Sequence, residues 1–349
     1  MKPSLSRRAL LEGAGAAMAI AACARKGTAG VALMQSASSE AADPPPMPMR
    51  GLGRTGVEIS LMGLGGYHLG VPSEKEAIRI VQEAMDHGVT FLDNCWDYHG
   101  GESERRLGKA LRGGYREKAF LMTKLDGRTA EAAAAQLDQS LRRLRTDHVD
   151  LLQIHEVIRP SDPARVFARG GAIEALVEAR EVGKTRFIGF TGHKSPAIHM
   201  AMLEAAHGHG LRFDAVQMPL NVMDAQYGEE SFERKVLPVL LRDEIGVLGM
   251  KPMGSGILLE SRAVTPVECL RYAMSLPVSV TITGVDSIGV LQQDLHTVLG
   301  FEPMTDDERA TVLAQTSDAA RTGRYEKYKT SDVFDSTAHH PQWLEGASE

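Results

Sequence analysis

The sequence predicts an α/β protein: a (β/α)8 TIM barrel with an N-terminal β-hairpin before it and a C-terminal helix and tail after it. Three observations carry that expectation. Strand-like and helix-like stretches alternate from about residue 59 to Leu299, the pattern of parallel βαβ units. The strand-like runs number eight, the count that closes such a barrel. No G-x-G-x-x-G opens a helix after the first run, which argues against an open doubly wound sheet.

The elements follow in order. MRGLGRTGVEIS (49–60) reads as a hairpin turning at Gly-Arg-Thr-Gly. The barrel strands are then ISLMGLG (59–65), TFLD (90–93), AFLMTK (119–124) and VDLLQIH (149–155), followed by RFIGFTG (186–192), AVQMPLN (215–221), GVLGMKP (246–252) and VSVTITG (278–284). Between them, Ser73 and Glu76 have the spacing of a capping box ahead of Ile78, Val81 and Met85, which share one helix face. Leu137, Leu141 and Leu144 repeat that pattern, as do Ile173, Leu176 and Val177. Thr305 to Glu308 announces a last helix. The tail from Arg324 carries Tyr325, Tyr328, Phe334 and Trp343, a composition suited to capping a pocket.

The chain has 349 residues, 43% of them hydrophobic, enough for a substantial core. Lys+Arg 39 against Asp+Glu 45 gives a net charge of −6 with no basic stripe, so no nucleic-acid partner is expected. Cys23, Cys95 and Cys269 show neither metal-like spacing nor a disulfide framework. No segment is long and apolar enough to span a bilayer as a mature helix.

Four parts are expected: an export signal over 1–23, a flexible tether over 24–46, the barrel over 47–322 and a tail over 323–349. Ser6 to Leu11 places the Arg7-Arg8 pair ahead of an Ala/Gly-rich run, the order of a secretory signal. The pair resembles the twin-arginine signal, which exports folded proteins and makes that export machinery a partner. Ile20-Ala21-Ala22-Cys23 resembles a lipoprotein cleavage box, with Cys23 as the lipidated residue and the sole membrane attachment. The expected location is the periplasm or cell envelope. Removing residues 1–23 deletes Lys2, Arg7, Arg8 and Glu12, a net +2, so −6 becomes −8. The tether is rich in Ala, Ser and Pro without an apolar period.

The apolar strands end on Asp93, Lys124, His155, Thr191, Gln217 with Asn221, and Lys251. In such barrels these ends carry the chemistry. Tyr98 follows five residues after Asp93. A tyrosine has an unperturbed pKa of about 10. An adjacent lysine ammonium favours its phenolate and is expected to lower that value. An aspartate keeps the lysine charged and aimed, and a histidine orients a polar oxygen. Such a set protonates a carbonyl oxygen or removes an alcohol proton, and it needs a cofactor for the hydride.

FLDNCWDYHGGESERRLGKAL (91–111) resembles the Asp-x-x-x-x-Tyr-Gly signature and following helix of the aldo-keto reductase family. LMTKL resembles that family's lysine strand, and VDLLQIH its histidine strand. The resemblance covers about Met49 to Leu299. It implies Tyr98 as general acid/base, Lys124 and Asp93 as its tuning pair, and His155 as the substrate-orienting group. It also implies a nicotinamide cofactor. Gly66 and Tyr67 would lie at its ribose, Thr191 and Gln217 at its carboxamide, and Lys251, Met253, Gly254 and Gly256 at its pyrophosphate. The run TGVDSIGVLQQDL (283–295), with Gly284, Asp286, Ser287 and Gln292, would hold the adenosine end. Two positions depart from the family: Gly192 replaces an asparagine, and His99 replaces the glycine after the tyrosine. Asp286 and Gln292 stand where NADPH-using members place cations. A carboxylate repels a 2′-phosphate but accepts from a ribose diol, so NAD is expected over NADP.

The expected function is therefore a nicotinamide-dependent oxidoreductase acting on a small carbonyl or alcohol, sugar-like in character, with its cofactor retained after export. Two alternatives come from other classes: a cofactor-binding redox-sensing subunit with little turnover, and a metal-dependent barrel hydrolase or isomerase. His68, His99 and His193, with His155 and Asp93, are the histidines and aspartate that the second would use, but their spacing matches no metal motif. No metal is expected. Cys95 reads as a small buried side chain. Trp96, Tyr67 and Trp343 would either stack on a sugar or fill the barrel mouth.

Overall fold

The computed structural model describes residues 45–345; the Arg7-Arg8 pair, Cys23 and most of the 24–46 stretch lie outside them, as do 346–349. Strands β1 (Met49–Gly51) and β2 (Glu58–Ser60) pair antiparallel, Met49 facing Ser60. Their turn needs glycine twice over. Gly53 has φ +50°, and a Cβ there would sit 2.5 Å from the Glu244 carbonyl oxygen; Gly56 has φ +73°.

Eight parallel strands then close a barrel: β3 (Met62–Gly65), β4 (Phe91–Asp93), β5 (Phe120–Leu125), β6 (Val149–Ile154), β7 (Thr185–Thr191), β8 (Ala215–Pro219), β9 (Gly246–Met250) and β10 (Val280–Gly284). The order is sequential, and β10 pairs with β3 to complete the ring. This is the (β/α)8 architecture that the eight alternations predict.

The barrel interior packs Phe91, Phe120, Met122, Leu151, Ala215, Leu248, Val280 and Ile282 against Leu52 and Ile59 of the hairpin. Phe91 and Phe120 stack with ring centroids 5.4 Å apart. Each such buried side chain stabilises the fold by about 1.5–3 kcal/mol. The hairpin thus closes the N-terminal end with apolar matter and leaves the other end for polar groups.

The helices bury a second shell against the strands. In Glu74–Asp86 the stripe is Ala77, Ile80, Val81, Ala84 and Met85. The Ser73 hydroxyl accepts from the Glu76 N–H at 3.2 Å, but the reciprocal bond of the expected capping box does not form. Thr305 and Glu308 do form the full box at the head of helix Asp306–Ala320, as Thr265 and Glu268 do for Pro266–Ser275. Among the described residues no helix is long and apolar enough to cross a membrane.

Candidate active site

The mouth of the barrel is assembled from adjacent strand ends. Asp93 closes β4 and Lys124 lies one residue from the end of β5, so register alone brings them together. Lys124 is fully buried; its Nζ is ion-paired with Asp93 and donates to the Asn94 carbonyl at 2.7 Å and the Tyr98 hydroxyl at 3.2 Å. The other Asp93 oxygen accepts from Gln217 Nε2 at 3.0 Å. Tyr98 enters from the turn Tyr98–Gly101, where His99, Gly100 and Gly101 all take positive φ before helix Glu102–Ala110 begins. At φ 53° His99 holds a conformation that glycine adopts freely, and its ring nitrogen lies 2.9 Å from the Tyr67 carbonyl oxygen. That ring fills the wall where the family signature has no side chain.

Burial, then the negative charge of Asp93 and the nearby Cys95, Asp97 and Glu156, push the Tyr98 phenol well above its usual range. The sequence argument, which weighed Lys124 alone, expects the opposite direction. The surrounding carboxyl groups outweigh one ammonium, and the phenol stands protonated, ready to donate. The His155 ring meets the Tyr98 ring edge-on at 5.8 Å. Its Nδ1 is 2.8 Å from Asp126 Oδ1, and burial lowers its pKa, which leaves a neutral ring at pH 7.

The cofactor positions lie along the same rim. Gly66 is buried beside Asp93 and Asn94, where a Cβ would come 2.4 Å from the Asp93 carbonyl oxygen. Tyr67 is exposed and packs edge-on to Tyr98 at 5.5 Å. Thr191 ends β7, and Gln217 in β8 keeps its Oε1 buried without a hydrogen-bond partner. That orphaned acceptor, on the side chain that donates to Asp93, fits a carboxamide donor. Lys251 follows β9 with φ 56°, and burial lowers its pKa to about 8. Met253 is buried, and Gly254, Ser255 and Gly256 run in left-handed conformation, turning the backbone sharply. Gly284 ends β10 against the His68 ring, which a Cβ would meet at 2.2 Å. Ser287 caps helix Ile288–Leu299 by accepting from the Val290 N–H, with Asp286 just before it and Gln292 exposed on its second turn. Gly192 has no room for the family's asparagine: a Cβ would lie 2.3 Å from the Val157 carbonyl oxygen and 2.8 Å from the His199 ring.

Sequence reasoning missed the carboxyls behind this set. Asp97, Asp126 and Glu156 are buried carboxyls beside His155. Asp126 comes two residues after Lys124, and period two of a strand was the available signal. The tail lies across the mouth. Glu156 accepts from the backbone N–H groups of Ser336 and Thr337, each at 2.8 Å, and from both hydroxyls at 2.9 and 2.6 Å. Asp335 pairs with His193 at 2.9 Å and Lys194 at 2.6 Å. Asn221 donates to the Tyr328 hydroxyl at 2.8 Å, and the Lys251 ammonium stands 4.7 Å from the Phe334 ring centroid. Trp343 meets Trp96 edge-on at 5.5 Å, so these two indoles fill the rim together.

The profile described as "Aldo/keto reductase family" matches residues 61–268. The chain is 31% identical over 225 residues to L-galactose dehydrogenase of Arabidopsis thaliana, covering 61% of this chain and 67% of that protein. It is 30% identical over 228 residues to the uncharacterized oxidoreductase YrpG of Bacillus subtilis, covering 59% and 67%. The solved structure of aldo-keto reductase AKR11C1 from Bacillus halodurans superposes with a TM-score of 0.65 at 23% identity, over 77% of this chain and 96% of that one, a likeness of fold.

Proposed function

We propose, from the premise that this chain belongs to the aldo/keto reductase family, that it is an exported, nicotinamide-dependent enzyme interconverting a carbonyl and an alcohol with Tyr98 as general acid/base. The observation that carries the proposal is the Tyr98 hydroxyl 3.2 Å from the Lys124 ammonium, itself paired with Asp93. A nicotinamide held by Thr191 and Gln217 supplies or accepts the hydride when bound. The chain's own groups do the rest. Tyr98 donates its phenolic proton to the carbonyl oxygen as charge develops there, and Lys124 stabilises the phenolate that forms. In the reverse direction that phenolate takes the alcohol proton. His155 orients the substrate oxygen beside Tyr98.

Asp286 and Gln292 favour NAD over NADP, because a carboxylate repels a 2′-phosphate but accepts hydrogen bonds from a ribose diol. The relative named for L-galactose supports a sugar-like substrate, offering both alcohol and carbonyl groups. The Arg7-Arg8 signal supports export of the folded protein to the periplasm, with Cys23 as its anchor in the envelope. A freely exchanging nicotinamide pool is not expected there, so the cofactor would be loaded before export and kept under the tail.

Tyr98→Phe is expected to cut turnover by roughly 10²-fold or more while cofactor binding persists, the range for a positioned acid. Near-normal turnover in a folded variant would remove Tyr98 from its role. Mass analysis of protein purified from the envelope and gel-filtered without added nicotinamide should find NAD(H). An empty protein that works only with continuous supply would overturn retention.

A further inference from the structure

Beside His155, three consecutive strand ends bring a thiol, two carboxyls and an imidazole nitrogen together. Cys95 and Asp97 follow β4, Asp126 follows β5 and His155 follows β6. One donor atom from each lies within 4.8 Å of all the others. Two of the groups are incompletely satisfied. Asp97 Oδ1 accepts no hydrogen bond, although its side chain is 6% exposed and it stands 3.7 Å from His155 Nδ1. Asp126 Oδ2 likewise accepts none in a side chain with no exposure.

We propose that Cys95, Asp97, Asp126 and His155 Nδ1 form a closed, four-ligand site for a divalent transition-metal ion of the zinc class. Tetrahedral zinc with bonds of 2.0–2.3 Å holds its ligand atoms about 3.3–3.8 Å apart, so the cluster has nearly the required size. The ion would replace the 2.8 Å hydrogen bond between His155 and Asp126, a separation too short for two ligands. A thiolate, an imidazole and two carboxylates form a borderline donor set that suits zinc, cobalt(II) or iron(II) and disfavours magnesium and calcium.

The nearby Lys124 and Arg128 direct their hydrogen bonds to other atoms than these carboxylate oxygens. Lys124 serves Asp93, Asn94 and Tyr98. Arg128 serves Asp162 and the carbonyl oxygens of Asp126, His155 and Glu156. An added divalent ion would balance both carboxylates at once. Outer groups already flank the ligands: the Cys95 N–H donates to Asn94 Oδ1 at 2.8 Å, and Ser336 Oγ, whose one proton goes to Glu156, stands 2.8 Å from Asp97 Oδ2.

With all four positions taken by protein, the ion activates no water. It fixes the His155 tautomer instead: ligation through Nδ1 leaves Nε2 as the N–H, a donor for a substrate oxygen. Sequence spacing hides the site because its ligands come from three separate loops. The site itself stands apart from the reductase reading, on which only its effect on His155 rests, and its test uses metal uptake rather than turnover.

The probe is cobalt(II), titrated into the full chain after chelator treatment. One equivalent should bind and produce intense tetrahedral d–d absorption with a thiolate-to-cobalt charge-transfer band. Cys95→Ser should lose the charge-transfer band. Asp126→Asn should weaken binding by more than about 100-fold, beyond the 10–100-fold typical of outer-shell losses. Both variants are checked for folding by circular dichroism; should Asp126→Asn fail to fold, the near-isosteric Cys95→Ser carries the test. Absent saturable uptake, or an unchanged spectrum in Cys95→Ser, overturns the site. Failed carbonyl reduction by a protein that binds cobalt leaves the site standing and removes only the function proposed above.

Discussion

The two ends of this barrel are built on opposite terms. At the N-terminal end, Leu52 and Ile59 of the hairpin press on Phe91, Phe120 and Leu151, a plug without a titratable group. At the C-terminal end, Asp93, Lys124, Asp126, His155 and Glu156 are buried just as deeply, and most of them act on one another electrostatically. Backbone strain does not divide so cleanly: His99, Glu156, Lys251 and Ser255 at the mouth hold positive φ without being glycine, but so do Arg145 and Glu244 in the loops that lead into β6 and β9. The apolar end contributes stability in excess, and the mouth spends part of it on charge burial and strained geometry that pure packing would not choose.

The largest expected effect attacks the apolar end. Phe91→Ala should cost about 3–5 kcal/mol, the range for deleting a buried phenyl ring. Turnover per folded molecule should stay near that of the unmutated protein. Phe91 lies on the same strand as Asp93, two residues before it, which makes the comparison sharp. Urea unfolding and steady-state rates on the same preparation decide. A rate loss comparable to that of Tyr98→Phe would show that the two ends are not separable.

A second effect belongs to the charged end alone. His199 is fully buried between Phe190 and Phe232, with its Nε2 3.4 Å from the Gln217 carbonyl oxygen. Burial lowers its pKa from 6.5 to about 4. The unfolded chain therefore takes up a proton between these values while the folded protein refuses it. Stability is full above pH 6.5 and declines as pH falls toward 4, by about 3 kcal/mol at 1.36 kcal/mol per unit. His199→Phe should flatten that part of the stability profile, measured as the difference between the two proteins. An identical slope in both would place the titrating group elsewhere.

The fold was legible because strand and helix periods are local, and eight alternations admit few closures. Asp93, Tyr98, Lys124 and His155 were legible for a related reason: each stands at a strand end or in the loop after it, and register converts that position into proximity. The tail's composition suggested a cap, but its anchor points were not readable at this range. Glu156 and Thr337 meet across 181 positions, and no local pattern announces such a contact. Asp97 and Asp126 were passed over because a carboxylate in a loop is usually solvated, and only the packed structure shows these two buried. The Tyr98 pKa was misjudged for the same reason. A pairwise argument saw the lysine, while the direction is set by burial and by carboxylates brought from neighbouring strands.

The smallest effect concerns the clasp between mouth and tail. Glu156 receives four hydrogen bonds from Ser336 and Thr337. Burial pushes its pKa up, but His155, His193 and the Thr337 donors outweigh that and hold it below the usual value. A depressed carboxyl contributes stability above its unfolded pKa of about 4.3 and loses it as pH falls through the folded value, so the clasp should loosen only in acid. Glu156→Gln removes the charge and turns one acceptor oxygen into a donor facing donors. The expected cost is about 1.5–3 kcal/mol, the scale of hydrogen bonds to a charged group. Because the tail is the element so held, the loss should appear locally: faster proteolytic clipping within 323–345 at pH 7 and faster release of bound nicotinamide, with the barrel's urea transition little moved. Phe91→Ala should show the reverse pattern. If Glu156→Gln leaves both clipping and cofactor release unchanged, the tail is held by Asp335, Tyr328 and Trp343 without it, and Glu156 serves the charge balance around His155 instead.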